Sequence, residues 1–356
     1  MPSPSEFLAA LRGIRYPGFT RDIVSFGIVK DIEVSSSTVT VILQAPAAKK
    51  ETVDHIVTEV RGVVSSMADG ATVEVRVEAA PPPAANAAAG AAARRSIDGV
   101  KHIIAVASGK GGVGKSTVAV NLAIAMSSLG RKIGLMDADI YGPSLAMMVG
   151  ADGAATITRE RTIVPLERFG IRYVSMGLFV DKDTAVVWRG PMVAKAEAEF
   201  LFNVKWGELD CLVLDLPPGT GDAQLTITQR VALDGGVIVT TPQALALLDV
   251  RRGVAMFSQV GVPVIGVVEN MSYHLCRRCG GRHEIFAHGG GAQLAESLGV
   301  PFLGELPLSA ALREGGDNAR PLMATDPAHP VSVQFRKIAV SVIEAIERPP
   351  EIHPQE

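Results

Sequence analysis

Cysteine, aromatic side chains and surplus charge are all scarce in this chain, and each shortage removes a class of function. Three cysteines in 356 residues cannot build a disulfide scaffold. Two Trp and four Tyr offer little surface for stacking on bases. Lys and Arg number 34 against 37 Asp and Glu, for a net charge of −3, so no dense basic face announces a nucleic-acid partner. No apolar run reaches the length of a bilayer span, and the N-terminus has neither the basic start nor the apolar core of a secretion signal. The expectation is a cytoplasmic protein with no nucleic-acid and no membrane partner. Glycine and proline, by contrast, are plentiful, at 36 and 22.

The length suits one large α/β core with a smaller module. Residues 1–77 read as a small α+β domain, with helices over Ser5–Gly13 and Glu51–Met67 and strands over Phe26–Ile32, Thr38–Leu43 and Thr72–Val77. Its one histidine, His55, falls mid-helix and reads as a surface or half-buried helix residue. Residues 78–97 carry three consecutive prolines, Pro81 to Pro83, and continue mostly in alanine. Such composition has little apolar surface to bury and predicts a flexible linker. Residues 98–347 alternate apolar runs with helical stretches, which predicts a mostly parallel central sheet flanked by helices. Strands are expected at His102–Ala107, Lys132–Met136, Ile171–Ser175, Cys211–Leu214, Gly236–Thr240, Val264–Val268 and Phe302–Glu305, with a last helix over Val331–Ile346. Residues 348–356 should fray.

Gly109-Lys110-Gly111-Gly112-Val113-Gly114-Lys115-Ser116 fits the phosphate-loop pattern G-x-x-x-x-G-K-S, and Thr117 follows it. An apolar strand leads in and a helical stretch leads out, as a P-loop NTPase requires. Glycines let the backbone amides curl towards phosphates, and the helix start adds a favourable dipole. Lys115 is expected on the β- and γ-phosphates of ATP and Ser116 on Mg2+. Lys110 is a second lysine that a plain phosphate loop does not need. It either stands in solvent or reaches a partner subunit's nucleotide, where it neutralises charge on the transferred phosphoryl group.

Two acidic clusters end apolar strands. Asp215 is placed for Mg2+, directly or through water, and Pro217-Pro218-Gly219-Thr220-Gly221 after it is a turn suited to sensing the γ-phosphate. Asp139 is the candidate for positioning the attacking water, with Asp137 in support; the plainer reading of Asp139 is a turn cap. Asn270, closing another strand, carries an amide able to read a base edge.

Cys276 and Cys279 form a C-x-x-C pair. Two thiolates do not complete a tetrahedral site. Three readings follow: zinc completed by His283 and His288, a redox dithiol, or four thiolates from two subunits holding an iron–sulfur cluster or zinc on a symmetry axis. The last is preferred because it also gives Lys110 a dimer to act across. Residue chemistry does not choose iron–sulfur over zinc.

Together GKGGVGKST at Gly109–Thr117, DADIYGPS at Asp137–Ser144, WRGPM at Trp188–Met192, DLPPGTGD at Asp215–Asp222, TTPQ at Thr240–Gln243 and ENMSYHLCRRC at Glu269–Cys279 resemble the Mrp/ApbC/Nbp35 family of iron–sulfur cluster carrier ATPases. That family sits in the deviant-Walker class with MinD and ParA. Residues 1–77 more loosely resemble the MIP18-like domain often fused in front. The resemblance implies a homodimer with Lys110 acting across it, Lys115, Ser116 and Thr117 on phosphate and Mg2+, and Asp139 in switch I. It places Asp215 and Asp222 around switch II and Asn270 on adenine. Cys276 and Cys279 are implied to bridge a labile 4Fe–4S cluster for transfer to apo-proteins, with cluster-assembly scaffolds as further partners. Arg277 stands where relatives often carry proline. Rival functions are a positioning ATPase, a zinc-stabilised regulatory ATPase and an electron-donating reductase.

Overall fold

The computed structural model describes residues 2–14, 22–24, 28–35, 37–45, 50–68, 70–79, 94–139, 142–150, 156–158, 162–178, 200–219, 221–276 and 278–348. The chain divides into two compact units, Met1–Ala91 and Ala92–Glu356.

In the first unit, helices α1 (Pro4–Leu11) and α2 (Lys50–Met67) accompany strands β1 (Val29–Val34), β2 (Thr38–Ala45) and β3 (Thr72–Ala79). β1 and β2 pair antiparallel, β2 and β3 parallel. The parallel pair needs a crossover, and α2 supplies it. Ile56, Val60 and Val64 recur every fourth residue, so one stripe of α2 is buried with Phe7, Leu11, Val39, Val41 and Leu43. His55 lies off that stripe, exposed beside Glu59. The expected start of the first strand, Phe26, lies outside the described residues, and a register irregularity lies between Val29 and Asp31.

The larger unit holds an eight-stranded sheet in the order β15-β12-β11-β4-β10-β5-β9-β8. Its strands are β4 (Val100–Ala107), β5 (Ile133–Asp137), β8 (Leu166–Arg168), β9 (Ile171–Ser175), β10 (Leu209–Asp215), β11 (Gly235–Thr240), β12 (Val264–Glu269) and β15 (Phe302–Glu305); short strands β6 (Thr156–Ile157) and β7 (Ile163–Val164) pair with each other. Only the edge strand β8 runs antiparallel to its neighbour. The helices are α3 (Lys115–Ser128), α4 (Leu145–Val149), α5 (Asp222–Arg230), α6 (Ala244–Gln259), α7 (Gly290–Ser297), α8 (Ala310–Asp317), α9 (Leu322–Thr325) and α10 (Pro330–Glu347).

Alternate strand residues feed two cores, as a sheet covered on both faces requires. Ile104, Val106, Leu135 and Val213 join α3 and α10 on one face, the latter through Phe335, Ile338 and Val342. Ile103, Ala105, Leu212 and Leu214 meet Trp206 and Phe257 on the other. α3 is buried without a break from Val118 to Met126, so it is enclosed on every side rather than amphipathic, and the one polar residue in that stretch, Asn121, is hydrogen-bonded to the Thr117 carbonyl and the Met323 amide. Cys211 belongs to this interior, and burial pushes its thiol far above the usual range, which makes it an inert core residue.

The expected linker is too long at both ends. Glu78 and Ala79 are the last residues of β3, paired with Gln44 and Ala45. At the other end Arg95 donates its amide to the Arg230 carbonyl, its guanidinium lies 4.1 Å from the Phe202 ring centroid, and Ile97 is buried in the core. Backbone pairing and one apolar anchor fix segments that composition alone assigned to the tether.

Candidate functional site

Parallel strands all point one way, so their C-terminal ends collect on one edge, where open α/β sheets bind ligands. β4 delivers the phosphate loop, β5 ends in Asp137, β10 in Asp215 and β12 in Glu269.

The loop runs from Ser108 to Gly114 and turns directly into α3. Gly112 and Gly114 have φ of +81° and +82°, the left-handed region that glycine enters without steric penalty. Gly109 is needed for a different reason: a Cβ there would lie 2.1 Å from the Asp249 Cβ on α6. Ser108 fastens the loop at both ends of its own residue. Its hydroxyl donates to the Lys110 carbonyl at 3.0 Å, and its carbonyl accepts the Gly219 amide at 2.9 Å. The turn after Asp215 is thereby tied to the phosphate loop. Among the described residues, no carboxylate pairs with the Lys110 ammonium.

Lys115 Nζ lies 2.5 Å from Asp215 Oδ1 and 3.3 Å from Ser116 Oγ. The pair is almost fully enclosed, with side-chain exposures of 7% and 0%. Burial pushes the Asp215 carboxyl upward, against the pull of the Lys115 ammonium. Its second oxygen, Oδ2, is buried without a hydrogen-bond partner, and such an orphan is a ready place for a cation or its water shell. A hydroxyl and a carboxylate are the hard oxygen donors Mg2+ prefers, so Ser116 and Asp215 fit that ion.

Asp137 is the register partner of Asp215 on the next strand and is fully buried. It accepts four hydrogen bonds: from the amides of Asp139, Ser144 and Leu145 and from the Ser175 hydroxyl, at 3.1, 2.9, 3.1 and 2.9 Å. Its acceptor capacity is used on the loop after β5, so it positions that loop. Asp139 is half-buried and accepts the Gly142 amide at 3.0 Å. It therefore serves as a turn cap here.

Burial and the neighbouring Asp215 charge raise the Asp137 pKa to about 6. The folded value lies above the unfolded one, near 3.9, so the folded state keeps the extra proton between them. The stability this confers is complete below about pH 4 and is lost as pH rises through 6. Without Mg2+ and nucleotide, we expect this group to lower folding stability by on the order of 3 kcal/mol between pH 4 and pH 7. Denaturant melts across that range should show a shallower slope for Asp137→Asn than for the parent; equal slopes would refute the assignment.

Asn270 is 5% exposed, and its Nδ2 donates to the Val113 carbonyl at 2.9 Å. The side chain expected on a base here braces the phosphate loop. Beside it a cleft of about 350 Å³ is lined by Gly114, Thr117, Met271, Pro307, Leu308 and Arg313, among others. Mostly apolar walls with a few polar groups, next to the start of α3, suit a nucleobase. Asp222 is the first residue of α5, after Gly221 at its N-cap. Trp188–Met192 and Arg277 lie outside the described residues.

After β12 the chain turns at Met271 (φ +56°) and enters a small hairpin of β13 (His274–Leu275) and β14 (Arg282–His283). Cys276 and Cys279 stand together at its tip, the first half-buried and the second exposed. The amides of Cys279 and Arg278 pull the Cys276 thiol below its usual range. His288 is not with them. It is 3.4 Å from Glu305 and within hydrogen-bond reach of Ser272 and Arg282, so the zinc set using both His283 and His288 is not assembled.

Sequence reasoning missed the polar network that fastens this hairpin. Glu269 accepts from the Ser272 hydroxyl at 2.6 Å and from the Gly291 amide at 2.5 Å, at the start of α7. Arg282 forks onto Glu305 at 3.0 and 3.2 Å and lies 3.9 Å from the Tyr273 ring centroid. The only available signal was a glutamate at the end of each of two neighbouring apolar strands.

The family model described as a NUBPL iron-transfer P-loop NTPase matches residues 99–343, and one described as an iron–sulfur cluster assembly protein matches residues 5–77. A Synechocystis protein named iron–sulfur cluster carrier protein is 44% identical over 92% of this chain and 93% of its own length. A Helicobacter pylori protein of the same name is 38% identical over 98% and 94%. Among solved structures, a nucleotide-binding protein from Archaeoglobus fulgidus in complex with ADP is 39% identical, with a TM-score of 0.55 over 63% of this chain and 88% of its own. The cell-division ATPase MinD of Pyrococcus furiosus shares the fold, with a TM-score of 0.52 at 23% identity over 68% and 98%. The chain belongs to the iron-transfer P-loop NTPase family.

Proposed function

Proceeding from that membership, we propose that this protein is an ATP-hydrolysing carrier that holds a labile 4Fe–4S cluster between two copies of itself and passes it to apo-proteins. The observation that carries this reading is the paired Cys276 and Cys279, at the tip of a hairpin that leaves β12 beside the phosphate loop.

Loop amides and Lys115 take the β- and γ-phosphates, so the Lys115 ammonium exchanges its carboxylate partner for the substrate. That exchange releases Asp215, whose carboxylate with Ser116 Oγ would hold Mg2+. The ion supplies charge neutralisation on the phosphoryl oxygens. Asp139 gives up the Gly142 amide to orient water, and Lys110 of the opposite copy meets the developing charge. Hydrolysis reverses the exchange, and the tie between Ser108 and Gly219 moves the turn after Asp215 with it. Asn270 joins the phosphate loop to the segment leading into the cysteine hairpin, which couples nucleotide state to cargo.

Anaerobic reconstitution with iron and sulfide tests the proposal. About four of each per two chains supports the carrier. Tight zinc without iron replaces it with an ATP-driven switch whose cysteines are structural.

A further inference from the structure

The hairpin is rooted in a hydroxyl that faces two acceptors. Ser272 is fully buried, and its Oγ lies 2.6 Å from Glu269 Oε1 and 2.8 Å from Glu305 Oε2. A serine hydroxyl carries one proton, so it serves one carboxylate or the other. We infer that Ser272 is a two-position switch between the nucleotide site and the hairpin. Donation to Glu269 ties the root of the hairpin to the nucleotide side of the molecule, and donation to Glu305 ties it to the hairpin's own far limb. Ser272 acts through these neighbours, as a positioning residue.

The two acceptors belong to different bodies. Glu269 also takes the amides of Gly289 and Gly291, at 3.3 and 2.5 Å. It is fully buried, and its charge rests on these amides at the start of α7. The turn that carries them is pressed against α6: a Cβ at Gly290 would lie 2.6 Å from Leu247 Cδ1. Two residues further on, α6 meets the phosphate loop, where a Cβ at Gly109 would lie 2.1 Å from the Asp249 Cβ. Neither contact has a side chain on the glycine side to absorb movement, so a shift of the phosphate loop passes through the first turns of α6 to the amides that hold Glu269. Glu305 instead takes the Arg282 fork, and Arg282 stands on β14.

Competition at one atom makes the switch. The Gly289 amide and the Ser272 hydroxyl share Glu269 Oε1, and the amide's bond is long. When the turn closes on Glu269, that oxygen is better satisfied and the hydroxyl proton turns to Glu305. When the turn withdraws, Glu269 draws the hydroxyl back. The segment between is bounded by two unusual backbones. Of the four described non-glycine residues with positive φ, Met271 at +56° and Ala287 at +96° flank it. An alanine at +96° is strained, and it is held there by His288 on Glu305 and Gly289 on Glu269. Hinges at these two residues let the hairpin turn while the core stays packed. The inference rests on the nucleotide half of the proposed function and needs no cargo.

Amide hydrogen exchange on the full-length protein, with Mg2+ and either ADP or a non-hydrolysable ATP analogue, provides the test. We expect exchange in β13 and β14 to differ between the two states by about fivefold or more, the lower end of ordinary coupling between sites. Ser272→Ala should erase that difference and leave ADP affinity unchanged, and Ser272→Thr, which keeps the hydroxyl, should retain it. A merely structural serine would instead change exchange equally in both states. Glu305→Ala removes one acceptor at a half-buried position and should erase the difference as well, so it decides the matter if Ser272→Ala does not fold. Equal exchange in both states of the parent, or a difference that survives in either folded alanine variant, would overturn the proposal. Failure of iron and sulfide to assemble would count against the carrier alone.

Discussion

Cys276→Ala and Cys279→Ala should each abolish iron–sulfur reconstitution while leaving ADP affinity within about twofold of the parent, as surface substitutions away from packing generally do. The first half follows from stoichiometry. A cluster shared by two copies has one thiolate per iron, and each substitution removes two of the four. The second half follows from where the cysteines sit. Neither belongs to a described hydrophobic cluster, and the hairpin is fastened by Arg282 on Glu305 rather than by its tip. Iron and sulfide measured per chain, alongside ADP titrations and thermal melts, check both halves. Iron retained in either variant would remove that cysteine from the ligand set. Loss of ADP affinity in both would make the pair a structural element of the nucleotide site.

The two loop lysines should fail in different ways. Lys115→Ala strands the buried Asp215, and breaking such a pair from one side typically costs about 3–5 kcal/mol. Nucleotide binding and thermal stability should fall together. Lys110 has no described carboxylate partner, so Lys110→Ala should keep fold and ADP binding and lower the hydrolysis rate by about 10³-fold or more, the size of effect a cation supplied in trans produces. Mixing separates trans from cis. In a dimer of Lys110→Ala with Asp139→Ala, one site has both an intact Asp139 and the opposite copy's Lys110. Random pairing makes half the dimers mixed, each with one working site, so roughly a quarter of the parent rate should return. No recovery would mean that Lys110 serves its own nucleotide, or none.

Much of this was legible because it depends on local pattern. The phosphate loop needs glycines at fixed offsets between a strand and a helix, and Gly112 and Gly114 adopt the backbone those offsets imply. Strands buried on both faces read as apolar runs, so the seven parallel strands were visible, with ends displaced by at most two residues, whereas the short antiparallel edge strand β8 was missed. Contacts between distant residues were not legible. Nothing near Asn270 says that its amide meets Val113, 157 positions away. His283 and His288 look equivalent along the chain, yet one stands by the cysteines and the other by Glu305. The linker was overdrawn because composition registers small residues and not the backbone bonds that pin Arg95.

The hairpin's attachment also bears on how such proteins diversify. No residue from Glu269 to Gln293 enters a described hydrophobic cluster, so the nucleotide engine keeps its interior whatever happens at the tip. A lineage can exchange ligands, lengthen the turn or drop the cysteines outright and still inherit a folded ATPase. Metal chemistry and motor are in this sense separately heritable, and selection can refit the tool without rebuilding the handle.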